Sequence, residues 1–220
     1  MKTKNYLLGT FIVLLAFIIM ACGESQNANK NAAGNNDNVT LTAASNSGTQ
    51  TTVDVNNSIV NWKASKVTGK HNGTVKIKDG TIYVQNGQVT GGNFNIDMNT
   101  ITVSDLTGES NQKLTGHLKS NDFFSVESNP TSSFVITEIG PGTNGATNTI
   151  KGNLTIKGIT KPVQFPANIQ VNNGKVTAKA TFDIDRTEYD IKYGSGKFFE
   201  GIGDKAIHDN FNIELDLMTN

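Results

Sequence analysis

The sequence is poor in the residues that build disulfide frameworks, metal clusters and charged binding surfaces. Its 220 residues include one cysteine, four prolines, three histidines and one tryptophan. A single cysteine excludes an internal disulfide and a zinc site built from CxxC pairs. Basic and acidic residues both number 19, so the formal net charge is zero. No nucleic acid partner is expected, because phosphate binding needs a concentrated positive surface.

Catalytic signatures are also missing. The chain contains no GxSxG, HExxH or GxxxxGK motif, which would indicate a serine hydrolase, a zinc protease or a phosphate loop. His71, His117 and His208 are too far apart in sequence to suggest a metal site. We therefore expect no catalytic residues, no metal and no cofactor.

The first 22 residues have the pattern of a secretory signal. Lys2 and Lys4 precede an almost wholly apolar run from Leu7 to Met20, and a basic start followed by a short apolar region is typical of a signal peptide. The segment that ends in Ala21 and Cys22 resembles the lipobox of bacterial lipoproteins, in which the cysteine is diacylated and becomes the new N-terminus. The alternative is an ordinary signal peptide with an incidental cysteine. We expect residues 1–22 to be a lipoprotein signal and Cys22 to be lipidated.

This interpretation implies a place in the cell. Two acyl chains anchor a protein stably to a membrane, so the expected location is the bacterial cell envelope. Gly23 follows the cysteine where some lipoproteins kept at the inner membrane have aspartate. The outer membrane, facing the periplasm, is therefore favoured.

Residues 23–52 differ in composition from the rest of the chain. They are rich in asparagine, serine, threonine, glycine and alanine and contain no aromatic residue. Such a segment cannot bury enough apolar surface to offset the entropy lost on ordering. We expect a flexible tether over residues 23–52, followed by one domain over residues 53–220.

The domain alternates apolar and polar residues. Period-two alternation predicts strands with one face in a core and one in water. Asn86-Gly87 predicts a hairpin turn, and Leu114 and Leu118 predict a short helix between Glu109 and Asn121. About eight strands with short turns indicate an all-β sandwich or an up-and-down barrel, and closure favours the barrel because it removes exposed edges.

One set of apolar residues shares the expected inner face. A barrel of about eight strands is either filled by side chains or able to hold one small ligand. Small inward residues leave room for a ligand, but the same residues also fit a tightly packed barrel. If a tunnel exists, its expected lining is Trp62, Phe94, Ile96, Met98, Phe134, Ile136, Leu154, Ile156, Phe165, Ile169, Ala178, Ala180, Phe182, Ile184, Phe211, Ile213 and Leu215.

Arg186 is the only arginine of the chain. It continues the inward parity of the strand before it, which places it inside the barrel or at its rim. A guanidinium there can bind a phosphate or another polar head group. The alternative, which we favour, is a structural ion pair with Asp122, Asp185 or Glu188.

Three segments resemble the YceI-like family. They are the stretch from Gly116 through Asp122-Phe123-Phe124 to Pro130, the stretch GNLTIKGITKPV that begins at Gly152, and FDIDRTEY, which begins at Phe182. The resemblance covers about residues 52–218. It implies an extended antiparallel lipocalin-like β-barrel with one short helix near one end. It also implies an apolar tunnel for a polyisoprenoid or similar lipid.

The resulting expectation is a protein that binds lipid without catalysis, for storage or transport at the envelope. Its partners would be the lipid and, through the N-terminal anchor, the membrane. An enzyme that acts on a lipid in the barrel and an interaction module with a solid barrel remain as alternatives. The sequence leaves the oligomeric state open, and a dimer is possible.

Overall fold

The computed structural model describes residues 42–220, with side chains from Ala44 onwards. The predicted signal peptide, Cys22 and residues 23–41 of the predicted tether lie outside the described residues. Over residues 42–220, no helix combines the length and the apolar character that crossing a membrane requires.

The described chain consists mainly of strands. One α-helix, α1, spans Gly108–Lys119, and two short 3-10 helices span Arg186–Tyr189 and Gly203–Lys205. The strands are β1 (Thr42–Ala43), β2 (Thr49–Thr52), β3 (Ile59–Lys66), β4 (Gly69–Gln85), β5 (Gln88–Val103), β6 (Thr131–Pro141), β7 (Asn148–Ile156), β8 (Ile159–Asn172), β9 (Lys175–Asp185) and β10 (Asn210–Met218).

Eight of these strands close into a barrel. Strands β3 to β10 pair antiparallel in chain order, and β10 pairs back with β3, where Leu215 lies opposite Val60. The pairing of β6 with β7 completes the ring and aligns Phe134 with Leu154. The predicted antiparallel barrel with one short helix is therefore confirmed.

The barrel has two different ends. Its hairpin end carries the short β4–β5, β6–β7 and β8–β9 connections. Its helix end carries the β3–β4 and β7–β8 turns, α1 in the β5–β6 connection, and residues 190–209, which we call the strap. The predicted turn at Asn86-Gly87 is present, with φ of 52° and 75°, the left-handed values that a type I′ hairpin requires.

The predicted end of the tether is wrong. Strand β1 pairs with β6, and β2 pairs with β4 over Thr49–Thr52. Val53 then donates to the Gly80 carbonyl and forms a bridge with Thr219. Residues 49–53 therefore lie against the barrel at its hairpin end. Threonine is β-branched and suits strands, but it supplies little of the apolar alternation on which the prediction depended.

Strand β4 is longer than the sequence pattern indicates. The apolar alternation that begins at Val75 and the run from Thr81 to Gln85 belong to a single strand of 17 residues. The β4–β5 register shifts between Ile77 and Asp79. A bulge adds a residue and re-aims the strand, which interrupts the alternation without ending the strand.

Gly152 on β7 is a position where the fold requires glycine. A Cβ atom there would lie 2.2 Å from Cζ of Phe134 and 2.6 Å from the Val135 carbonyl oxygen. Gly116 in α1 has no atom within 4 Å of an added Cβ. The space in front of Gly152 thus holds the Phe134 ring, although small inner-face residues were expected to leave room for a ligand.

We expect Gly152→Ala to lower the free energy of unfolding by roughly 1–3 kcal/mol, because the Phe134 ring and the strand backbone must shift. The matched control, Gly116→Ala, should raise it by about 0.5–1 kcal/mol, because alanine favours the helix. Urea denaturation of both variants measures the difference. Equal stability of Gly152→Ala and the parent protein would contradict the packing described.

Candidate ligand-binding site

The barrel encloses an apolar cavity of about 220 Å³. Every residue expected to line a tunnel lies on its wall. Whether these residues contact a ligand stays a prediction. The wall contains Trp62, Phe94, Ile96, Met98, Phe134, Ile136, Leu154, Ile156, Phe165, Ile169, Ala178, Ala180, Phe182, Ile184, Phe211, Ile213 and Leu215.

Several inward-facing side chains are only partly buried. Phe94, Phe182 and Ile213 belong to this group, although each lies on the cavity side of its strand. Their accessible surface includes area that faces the cavity, because a fully packed interior leaves few voids as large as a water molecule. The middle of the barrel is therefore not filled by its own side chains.

A row of four phenylalanine rings crosses the interior. Phe94 stacks on Phe134 at a centroid distance of 6.3 Å, and Phe134 lies 5.6 Å from Phe165. Phe165 and Phe182 are stacked at 4.0 Å with an interplanar angle of 7°. These rings give the cavity flat walls and limit its width.

Apolar side chains pack at both ends of the cavity. At the hairpin end, Val53, Ile82, Val84, Val176 and Leu217 are buried. At the helix end, Leu118 of α1 and the following Phe123 and Phe124 line the cavity. The Phe123 ring lies edge-on to the His117 ring at 4.9 Å. The Asp122-Phe123-Phe124 segment thus lies at the helix end, and its two rings face the cavity.

The polar part of the wall consists of Ser132, Arg186 and His208. Arg186 is 4% exposed, and backbone carbonyls of the strap accept hydrogen bonds from all three of its nitrogens. Nε donates to His208 O at 3.1 Å and Nη2 to Ile207 O at 3.0 Å. Nη1 donates to Ile191 O at 2.8 Å and to Tyr193 O at 2.9 Å. The guanidinium therefore holds the strap against the barrel.

Arg186 thus has the structural role that was favoured, but the predicted ion-pair partners were wrong. The carboxylate nearest the guanidinium is Asp209, whose Oδ1 lies 3.5 Å from Nη2. Asp185 instead pairs with Lys197, and Asp122 contacts His117. Burial lowers the pKa of Arg186, and the charges of Asp209 and Asp185 oppose that shift. The predicted partners lie near Arg186 in sequence or belong to a family motif. Asp209 is 23 residues from Arg186 in sequence and comes close to it only because the strap folds back.

Sequence reasoning missed the wall residues that do not belong to strands. Ile191, Ile207 and His208 of the strap line the cavity, but the strap has no regular periodicity that would have marked them. The only sequence indication for Leu118 was its spacing of four residues from Leu114, which is typical of a helix.

His71 hydrogen-bonds Asp105 outside the cavity, with Nδ1 2.8 Å from Oδ2. Within residues 42–220, no group of three or more metal-binding side chains is present.

The chain is similar in sequence to a known domain family and to several bacterial proteins. A family model described as the YceI-like domain matches residues 51–219. A UPF0312 protein of Pseudomonas aeruginosa is 47% identical over 53 residues, which cover 24% of this chain and 27% of that protein. A UPF0312 protein of Serratia proteamaculans is 33% identical over 97 residues, which cover 44% of this chain and 47% of that protein. The chain thus aligns with about a quarter to a half of the length of these curated relatives.

Two solved structures share the fold. The crystal structure of Burkholderia cenocepacia BcnA superposes with a TM-score of 0.61 and 20% identity, covering 76% of this chain and 99% of BcnA. A polyisoprenoid binding domain from Saccharophagus degradans, implicated in plant cell wall breakdown, superposes with a TM-score of 0.53 and 12% identity, covering 77% of this chain and 97% of that domain. At these identities the likeness establishes the fold.

We expect Arg186→Lys to lower the free energy of unfolding by about 2–4 kcal/mol, because several buried carbonyls lose their donors. It should also speed hydrogen exchange of the strap amides. Lys197→Met is the matched control and should change stability and strap exchange much less, because the Lys197 side chain is 55% exposed and ion pairs of exposed lysines contribute little. Unchanged stability and exchange in Arg186→Lys would show that the guanidinium does not hold the strap.

Proposed function

The chain belongs to the YceI-like domain family, and from that premise we propose that its barrel binds a long apolar lipid without catalysing a reaction. The ligand class is a polyisoprenoid, an isoprenoid quinone or a fatty chain. The role is storage of this lipid or its transport at the cell envelope. The lipid anchor at Cys22 and the location at the outer membrane, facing the periplasm, are parts of the same proposal.

One observation carries the proposal: the interior of the closed barrel is both unfilled and apolar. Ser132, Arg186 and His208 are the polar members of its wall among the described residues. An alkyl or isoprenoid chain that leaves water for such a wall gains roughly 25 cal/mol for each Å² of apolar surface buried, or about 0.8 kcal/mol per methylene group. A polar ligand would find few hydrogen-bond partners there.

The size of the cavity is that of a ligand site. At about 220 Å³ it exceeds an engineered apolar cavity of ~150 Å³ that holds a benzene molecule. A chain longer than the cavity extends past the helix end, where Phe123 and Phe124 line the wall.

The bonding of Arg186 favours a lipid whose head group is uncharged or lies outside the barrel. Four carbonyls of the strap already accept hydrogen bonds from the guanidinium. Binding a phosphate or carboxylate at this residue would break those bonds and leave buried carbonyls unpaired, which is costly. The polyisoprenoid binding domain of Saccharophagus degradans, which shares the fold, supports an isoprenoid as one member of the ligand class.

The two alternatives receive less support. An enzyme acting on the bound lipid needs ionisable groups near the reacting atoms, whereas the ionisable part of the described wall consists of the strap-bonded Arg186 and of His208. A solid-barrel interaction module needs a filled interior, and the cavity is inconsistent with that. Lipid binding therefore accounts best for the geometry.

The test is extraction of the protein after purification from cells, followed by mass spectrometry of the organic phase. We expect a lipid with a long apolar chain in stoichiometric amount. Ala180→Phe, which adds a ring on the cavity wall, should reduce the amount of lipid, because the added ring takes up cavity volume. Thr181→Phe adds the same ring at an exposed position of β9 and should leave it unchanged. An empty parent protein, or equal loading of both variants, would contradict the proposal.

A further inference from the structure

The exposed hydrophobic side chains are concentrated at one end of the barrel. Among the described residues, six large hydrophobic side chains are exposed. Two of them, Ile59 and Val135, point outward from strands of the barrel wall. The other four lie at the helix end, and we call them the apolar rim: Val67 at 56%, Tyr193 at 45%, Phe198 at 47% and Phe199 at 49% exposure.

The segments that carry the rim are joined to one another although its members are distant in sequence. The Val67 amide of the β3–β4 turn donates to the Ala206 carbonyl of the strap at 3.1 Å. The Ile207 amide donates to the Gly194 carbonyl at 2.7 Å, which joins the two halves of the strap. The turn and both halves of the strap are therefore held together by backbone hydrogen bonds.

The rim is continuous with the cavity. Ile191 and Ile207 of the strap contribute to the cavity wall, while Tyr193 and Phe198 of the same segment are exposed. The strap thus presents apolar side chains to the cavity on one side and to the outside on the other. The Tyr193 ring of the rim also lies 5.5 Å from the ring of Phe123, which lines the cavity.

The composition of the rim fits the surface of a lipid bilayer. Aromatic side chains favour the boundary between the apolar and polar layers, and lysines extend from apolar surroundings to the head groups. The Lys192 ammonium lies 5.3 Å from the centroid of the Phe198 ring, and Lys66 and Lys70 flank Val67 on the same turn. A stable protein interface buries about 800 Å² on each partner, whereas these half-exposed side chains offer roughly half of that.

We propose that the apolar rim docks onto the surface of a lipid bilayer and that the bound chain passes between bilayer and cavity across the strap. This inference rests on the proposed lipid ligand and adds where the ligand is exchanged. Carboxylates such as Glu200 and Asp204 lie among the lysines of the strap, so docking depends on apolar insertion and takes place on bilayers without net charge.

The length of the N-terminal segment permits this orientation. Strand β1 lies at the hairpin end, opposite the rim. Nineteen residues lie between the predicted anchor at Cys22 and Thr42, and a segment of that length can extend to about 65 Å at 3.3–3.6 Å per residue. The longest strand, with 17 residues, spans about 56 Å at ~3.3 Å per residue. An anchored barrel can therefore turn its helix end towards the membrane.

The test uses tryptophan as a probe of contact with lipid. The full-length chain carrying Phe198→Trp is reconstituted with phosphatidylcholine vesicles whose acyl chains are brominated, since bromine quenches a tryptophan that enters the bilayer. Val135→Trp on the barrel wall is the matched control. The buried Trp62 is common to both proteins, and its emission is subtracted using the parent chain. Circular dichroism verifies that both variants are folded.

We expect loss of the added emission in Phe198→Trp and none in Val135→Trp. Absence of quenching at both positions would overturn docking, as would equal quenching at both. A blue shift of Phe198→Trp without vesicles, growing with protein concentration, would show that a second copy covers the rim and would also overturn it. A brominated chain that enters the cavity quenches Trp62 in the parent chain and in both variants, and the subtraction removes this contribution. A failure of docking is therefore distinguishable from a failure of lipid extraction.

Discussion

Closure of the β3–β10 ring is the constraint on which the rest of the structure depends. Because β10 pairs with β3 and β6 pairs with β7, the barrel has no free edge. Apart from the bulges, every second side chain points into the same enclosed space. The circumference is fixed by backbone hydrogen bonds, so the interior cannot shrink around small residues. A cavity remains where alanines face the interior, and a phenylalanine row crosses it.

Hydrogen bonds from two large side chains to backbone carbonyls help to form the wall of the enclosed space. The only arginine binds carbonyls of the strap and holds its Ile191 and Ile207 side chains on the cavity wall. Trp62, the only tryptophan, faces the cavity and donates through Nε1 to the Thr102 carbonyl at 3.1 Å. In both cases a large side chain has its polar atoms paired with backbone, so that its apolar part can face the interior at little cost.

The inward-facing residues could be predicted from the sequence because side chains of a strand point to the same face at every second residue. Once Phe182 and Ile184 are assigned inward, the parity of the strand extends to Arg186. The path of the strap could not be derived in this way, since its contacts with Arg186 come from residues up to 22 positions away. The strand at Thr49–Thr52 could not be predicted either, because it is defined by its pairing with β4 and not by a pattern of apolar residues. Whether Gly152 provides ligand space or accommodates the Phe134 ring is likewise decided by packing across strands.

Lipid binding requires that an apolar chain occupies the space beside the phenylalanine row. A crystal structure of the protein purified from its native envelope, without delipidation, tests this most directly. We expect elongated electron density between the Phe165–Phe182 pair and the strap, in contact with Ala178 and Ala180. An interior that holds only ordered water, or one closed by rearranged side chains, would contradict it.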